Sequence, residues 1–158
     1  GLSLDEIRRG LESVQPGKMR MERRTTREGV LILNDAYNAN PSSMRAAFEA
    51  VKDLPVAGKR IAVLGGMREL GESSETAHRA IGAQAAASGF DLVIAVGSEA
   101  AGIAEGARTA KKQIPQVELF STAAEAAKFL RSRARHGDVV LVKASRGVAL
   151  EQALEGWF

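Results

Sequence analysis

Val30-Leu31-Ile32-Leu33-Asn34-Asp35-Ala36-Tyr37-Asn38-Ala39-Asn40-Pro41 passes from an apolar run, through a polar turn with one aromatic residue, into a helix start. The apolar run predicts a strand. A polar loop between the carboxyl end of a strand and a helix is where open α/β sheets gather ligands. Asn40 suits a helix cap and Pro41 suits the first helical turn. Asp35, Tyr37 and Asn38 have no such local duty, so they are candidate binding residues.

Downstream, strands and helices alternate. Met44, Ala47, Phe48, Val51 and Leu54 form one helical stripe. Ile61 to Leu64, Leu92 to Val96, Val117 to Phe120 and Val139 to Val142 read as short buried strands. Helices are expected over 74–88 (Ala77, Ile81 and Ala85 inward) and over 99–111. Thr122 caps a further helix with Ala126, Phe129, Leu130 and Ala134. The chain is expected to end in a helix holding Leu150 and Leu154. Upstream, Ser3 and Glu6 fit a capping box, with Leu4, Ile7, Leu11 and Val14 at helical spacing and Pro16-Gly17 as the stop. Met19, Met21 and Arg23 alternate with charged residues, which predicts a half-exposed strand. Glu28-Gly29 turns it into Val30 to Leu33 as an antiparallel partner.

Strands apolar on both sides, alternating with helices, require a parallel sheet covered on two faces. The expected fold is α/β: a Rossmann-like, mostly parallel sheet with helices on both faces, preceded by a helix and a β-hairpin.

At 158 residues the chain can bury one substantial core, and 45% hydrophobic with 26% charged content is ordinary for a globular protein. A formal charge of +3 does not argue for nucleic acid. Cysteine is absent, so disulfides and thiolate metal sites are excluded. No apolar run reaches the ~20 residues of a membrane span. The two histidines, His78 and His136, are far apart and read as surface helix residues, so no metal site is expected. The basic run Lys18, Arg20, Arg23, Arg24 and Arg27 is interleaved with Glu22 and Glu28 and reads as a solvated hairpin face. No Gly-x-x-x-x-Gly-Lys-Thr phosphate loop and no Gly-x-Gly-x-x-Gly fingerprint occurs, and no Ser-His-Asp or Cys-His arrangement can be drawn. The catalytic residues stay unassigned.

Parallel strands put four loops on one edge: 35–40, 65–72, 97–99 and 143–147. Lys143 and Arg146 suit a phosphate or carboxylate, with Ser145 as a further donor, or else are two solvated cations beside a capped helix. Residues 65–72, with Gly65, Gly66 and Gly71 beside Arg68, Glu69 and Glu72, bring backbone close to a ligand or form a flexible connector. Tyr37 can stack on a base or sit on the core rim. Asp35 can accept ribose hydroxyls or cap a turn.

Three blocks, Asp35-Ala36-Tyr37-Asn38-Ala39-Asn40-Pro41, Val63-Leu64-Gly65-Gly66-Met67-Arg68-Glu69-Leu70-Gly71-Glu72 and Val142-Lys143-Ala144-Ser145-Arg146-Gly147, resemble the C-terminal domain of a Mur ligase, MurF type. The likeness covers nearly the whole chain. Gly66, Ala144 and Val148 stand where that family usually has Asp, Gly and Met. The resemblance implies a three-domain ATP-dependent ligase of peptidoglycan synthesis. Such an enzyme activates the carboxylate of UDP-N-acetylmuramoyl-tripeptide as an acyl phosphate and joins it to D-Ala-D-Ala. ATP and Mg2+ would be bound mainly by a central domain, and the UDP end by an N-terminal one. Residues 1–16 would be the terminal helix of the central domain and 17–158 the C-terminal domain. The start at Gly1 agrees with a piece of a longer, cytoplasmic protein. By that likeness Asp35, Tyr37, Asn38 and Asn40 face the nucleotide. Ser98, Glu99, Lys143, Ser145 and Arg146 lie near the dipeptide, with Arg68, Glu69 and Glu72 as possible loop contacts. A fragment of this kind is expected to be inactive alone. A sister ligase domain of the Mur or folylpolyglutamate type, or a non-catalytic Rossmann-like binding module, are the alternatives.

Overall fold

The computed structural model describes residues 1–12, 17–110 and 114–158. Helix α1 (Leu4–Glu12) begins at the expected capping box. The Ser3 backbone amide and hydroxyl donate to Glu6 and hold its carboxyl below the usual range. Leu2, Leu4 and Ile7 are exposed. Val14, Pro16 and Lys111, part of the expected helix stripe and ends, lie outside the described residues.

The first strand is displaced from its expected position. Strand β1 is Glu22–Thr25, paired antiparallel with β2 (Leu31–Asn34). Met19 and Met21 are not strand residues: both have left-handed backbone, φ +57 and +51. The Met21 amide donates to the Asp35 carboxylate rather than to a ladder partner. Gly29, at φ +79, makes the hairpin turn as expected.

From β2 onward the strands run parallel. Helix α2 (Pro41–Lys52), strand β3 (Arg60–Gly65), helix α3 (Ser74–Ala87), strand β4 (Leu92–Val96), helix α4 (Ala101–Arg108), strand β5 (Gln116–Phe120), helix α5 (Ala123–Arg133) and strand β6 (Val139–Lys143) follow in turn. The sheet order is β1-β2-β6-β3-β4-β5. Successive side chains point to opposite faces of a strand. Ala62, Leu64, Val93 and Ala95 therefore meet Met44, Phe48, Ile81 and Ile103 of α2, α3 and α4. Ile61, Val63, Ile94 and Val96 meet Ala126 and Leu130 of α5, with Leu150, Leu154 and Trp157. Both faces are apolar and both are covered, as the strand composition demands.

Two segments depart from the helices that the apolar spacing predicts. A 3-10 turn, Ser98–Ala100, precedes α4. The C-terminal segment is not an α-helix but two 3-10 turns, Arg146–Val148 and Leu150–Leu154, separated by Ala149 at φ +52. That left-handed residue breaks the α-helical repeat, although Leu150 and Leu154 are buried as expected.

Helices α3 and α4 touch backbone to backbone. A Cβ on Gly82 would lie 2.0 Å from the Ile103 carbonyl oxygen, and one on Gly106 1.9 Å from that of Arg79. Overfilling a packed contact costs typically about 1–3 kcal/mol. Gly82→Ala and Gly106→Ala should each lower stability by at least that order in urea unfolding. Unchanged midpoints would show that the helices separate freely.

Candidate functional site

The strand register sets the site. Asn34 lies beside Val142, Leu64 beside Lys143, Gly65 beside Val96, and Val96 beside Phe120. The carboxyl ends of five strands thus share one edge. Three of the four expected loops enclose a pocket of about 360 Å³ there, lined by Tyr37, Asn38, Arg68, Glu69, Ser145, Arg146 and Gly147. A second pocket of about 350 Å³ adjoins it and includes Ser98, Glu99, Ser121, Thr122 and Gln152. Arg68 and Gly147 belong to both walls. Ser145 and Arg146 therefore lie with Tyr37, while Ser98 and Glu99 lie beyond Arg68. Asp35, Asn40, Glu72 and Lys143 line neither pocket.

Lys143 is not a solvated cation. It is 2% exposed, and its ammonium donates to Asp35 Oδ2 at 2.5 Å and to the Asn38 carbonyl at 3.0 Å. Asp35 Oδ1 accepts from the Met21 amide. Both Asp35 oxygens thereby have partners within the protein, and Asp35 lines neither pocket. The rest of the turn is also tied down. Asn34, buried, accepts from the Ala36 amide. Asn38 Oδ1 accepts from the Ala39 amide. Asn40 caps α2 by accepting from the Ser43 amide, and the Asn40 amide in turn donates to the Ser43 hydroxyl oxygen. The duties that the sequence leaves unseen in Asp35 and Asn38 are thus structural ones: Asp35 and the Asn38 carbonyl hold Lys143, more than 100 residues away, while the Asn38 side chain braces its own turn.

Ser145 is buried and joins three loops. Its hydroxyl donates to the Ala39 carbonyl and accepts from the Arg68 amide, and its own amide donates to the Gly66 carbonyl. What remains presented to the pocket is Tyr37, the side-chain amide of Asn38, Arg68, Arg146 and Glu69. Tyr37 is 44% exposed, with the Arg20 guanidinium 4.1 Å from its ring centroid. A cation at that distance favours the ring face. Arg146 donates to the Met19 sulfur at 3.1 Å and to Glu151 at 3.3 Å. Arg68 pairs loosely with Glu99 at 3.7 Å, both side chains half exposed. Such a pair is weak and leaves the guanidinium available. Glycines make the room: a Cβ on Gly147 would lie 1.9 Å from Arg68 Nη1, and one on Gly66 2.5 Å from Glu99 Oε2.

His78 departs from the expected surface position. It is 2% exposed and within hydrogen-bond distance of the Met67 amide. Its place on the apolar face of α3, three residues before Ile81, is the sequence signal for that burial. His136 is exposed, in the turn before β6 rather than on a helix. Arg20 and Arg24, expected to be solvated, lie over Tyr37 and Phe158. Among the described residues no three His, Asp or Glu side chains gather closely enough to hold a metal ion. No helix among them is long and apolar enough to cross a membrane.

Residues 19–146 match the family model described as Mur ligase, glutamate ligase domain. A curated relative from Bacillus subtilis (strain 168), UDP-N-acetylmuramoyl-tripeptide--D-alanyl-D-alanine ligase, is 36% identical over 98% of this chain and 34% of its own length. A MurF ligase structure from Thermotoga maritima in complex with ADP is 34% identical, with a TM-score of 0.76 over 96% of this chain and 35% of that one. A MurF structure from Acinetobacter baumannii is 33% identical, with a TM-score of 0.81 over 98% and 33%. The chain spans about a third of the length of the curated relatives it matches.

Removing one partner of a buried ion pair leaves the other charge uncompensated, at a cost of about 3–5 kcal/mol. Lys143→Met and Asp35→Asn should each destabilise the protein to that order in urea unfolding. The double variant should lose clearly less than the sum of the two. Strictly additive losses would show that the two charges do not depend on each other.

Proposed function

The chain belongs to the Mur ligase family through its glutamate ligase domain, and we propose that it serves as the C-terminal domain of an ATP-dependent amide ligase of peptidoglycan synthesis. The complete enzyme would add D-Ala-D-Ala to UDP-N-acetylmuramoyl-tripeptide, in the cytoplasm. The observation that carries this reading is the single pocket formed by Tyr37, Asn38, Arg68, Glu69, Ser145 and Arg146. It brings the three sequence blocks together in a chain whose full-length relative is named for that reaction.

The residues fit a nucleotide edge beside an anionic group. Tyr37 offers an aromatic face to the adenine. The Asn38 side-chain amide can donate to the ribose, since its oxygen is already used. ATP supplies the phosphoryl group that activates the tripeptide carboxylate, and the proposal gives its Mg2+ to the central domain. Arg68 and Arg146 hold the dipeptide carboxylate by two-point contact. Glu99 and Ser98, across Arg68, receive the dipeptide amine. Asp35, Asn40 and Lys143 act behind this surface, and Ser145 in its wall, by holding the loops in place. Residues 1–16 belong to the preceding domain in this reading. The exposed Leu2, Leu4 and Ile7 then pack against that domain. Closure of the missing domains onto the pocket excludes water from a reactive acyl group.

The 158-residue chain alone should therefore release no phosphate from ATP when given both substrates, and turnover by it would overturn the reading. In the complete protein, Tyr37→Ala should raise the KM for ATP roughly tenfold through lost stacking. An unchanged KM for ATP would remove Tyr37 from the nucleotide site.

A further inference from the structure

His78 is a buried polar residue outside the pocket, and both its ring nitrogens are committed. Nδ1 lies 2.7 Å from the Ser74 carbonyl oxygen, one helical turn back on α3. A carbonyl only accepts, so Nδ1 must carry the hydrogen in that contact. Nε2 is then bare, and the Met67 amide donates to it at 2.8 Å. The neutral imidazole is thus fixed in one tautomer by the helix that carries it. Gly102 of α4 lets that helix pass close to His78, since a Cβ there would lie 3.0 Å from the His78 Cβ.

The amide it holds stands at the root of the site. Met67 itself is buried, and the next amide, of Arg68, donates to Ser145 Oγ. Ser145 in turn donates to Ala39. Imidazole, Met67, Arg68, Ser145 and Ala39 make one continuous chain of contacts across three site loops. In the same loop Gly66 precedes Met67, and Glu69 and Gly71 follow in left-handed backbone at φ +63 and +54.

We propose that His78 is a positioning residue for the ligand site: its neutral ring holds the Met67 amide and so fixes where Arg68 stands between the two pockets. This rests on the reading of those pockets as the nucleotide and dipeptide site. The hydrogen bond itself can be tested without ligand.

In the 158-residue chain, an NMR coupling across the hydrogen bond should link the Met67 amide nitrogen to His78 Nε2, with the ring proton on Nδ1. Its absence, or a proton on Nε2, overturns the proposal. His78→Leu should speed hydrogen exchange at the Met67 and Arg68 amides by roughly tenfold to a hundredfold. His78→Gln, whose carbonyl can accept from Met67, should recover most of that protection. Equal exchange in the two variants overturns the proposal, and so does wild-type protection in His78→Leu. If His78→Leu does not fold, the wild-type coupling and the His78→Gln exchange pattern still decide. In the complete ligase, His78→Leu should lower kcat/KM for the dipeptide on the order of tenfold while the KM for ATP holds, with rescue by His78→Gln. Confirmed NMR results with an inactive complete protein would refute the ligase reading and leave the tie intact. Confirmed NMR results with an unchanged kcat/KM for the dipeptide in the His78→Leu ligase would overturn the positioning role alone.

Discussion

Lys143 can lie in the interior because Asp35 and the Asn38 carbonyl meet its ammonium there. The pair joins the ends of two neighbouring parallel strands, β2 and β6. A buried ion pair is weak evidence of net stability, since desolvation offsets much of the attraction. What it does at this place is geometric. With Lys143 below and the Met21 amide beside it, the turn after β2 has one arrangement in which its charges are satisfied. Tyr37 and Asn38 are carried on that turn, so their presentation follows from a contact that no ligand need touch.

Space at the site is shared out by residues lacking a side chain. Glu99 occupies the room that a Cβ on Gly66 would take. The Ala144 methyl does the same at Gly65, where a Cβ would come within 2.7 Å of it. At Gly66 a neighbour fills the volume a Cβ would take, and beside Ala144 a neighbour, Gly65, leaves it open. Close packing makes such pairs interdependent. Arg68 reaches across Gly147 on the same principle, which is how one side chain can border both cavities.

The strands and their parallel direction were legible because Ile61, Val63, Leu92, Ile94 and Val140 sit in short apolar runs between helices, a pattern local to each segment. Convergence of Tyr37, Glu69 and Arg146 followed from direction alone. The roles within the site were less visible. A lysine at a strand end reads as an anion-binding or a solvated cation unless its partner is known, and Asp35 is 108 residues away. His78 looked like a surface residue because the loop amide it serves belongs to another segment. Met19 and Met21 alternate like strand residues, yet hydrogen bonds to the 35–37 turn pull them into left-handed backbone. The C-terminal segment carries helical spacing at Leu150 and Leu154, but nothing in that spacing announces the left-handed Ala149. In each case the missing information was a long-range partner or a single backbone angle.

The segment from Gly17 to Met21 touches the turn at two points, one on either side of Arg20. The Tyr37 amide donates to the Met19 carbonyl, and the Met21 amide donates to Asp35. The chain that enters at Gly17 is therefore fastened to the backbone of Tyr37 and the carboxylate of Asp35 before it reaches the β1–β2 ladder, so the turn that carries the aromatic ring is shared between two segments of the protein.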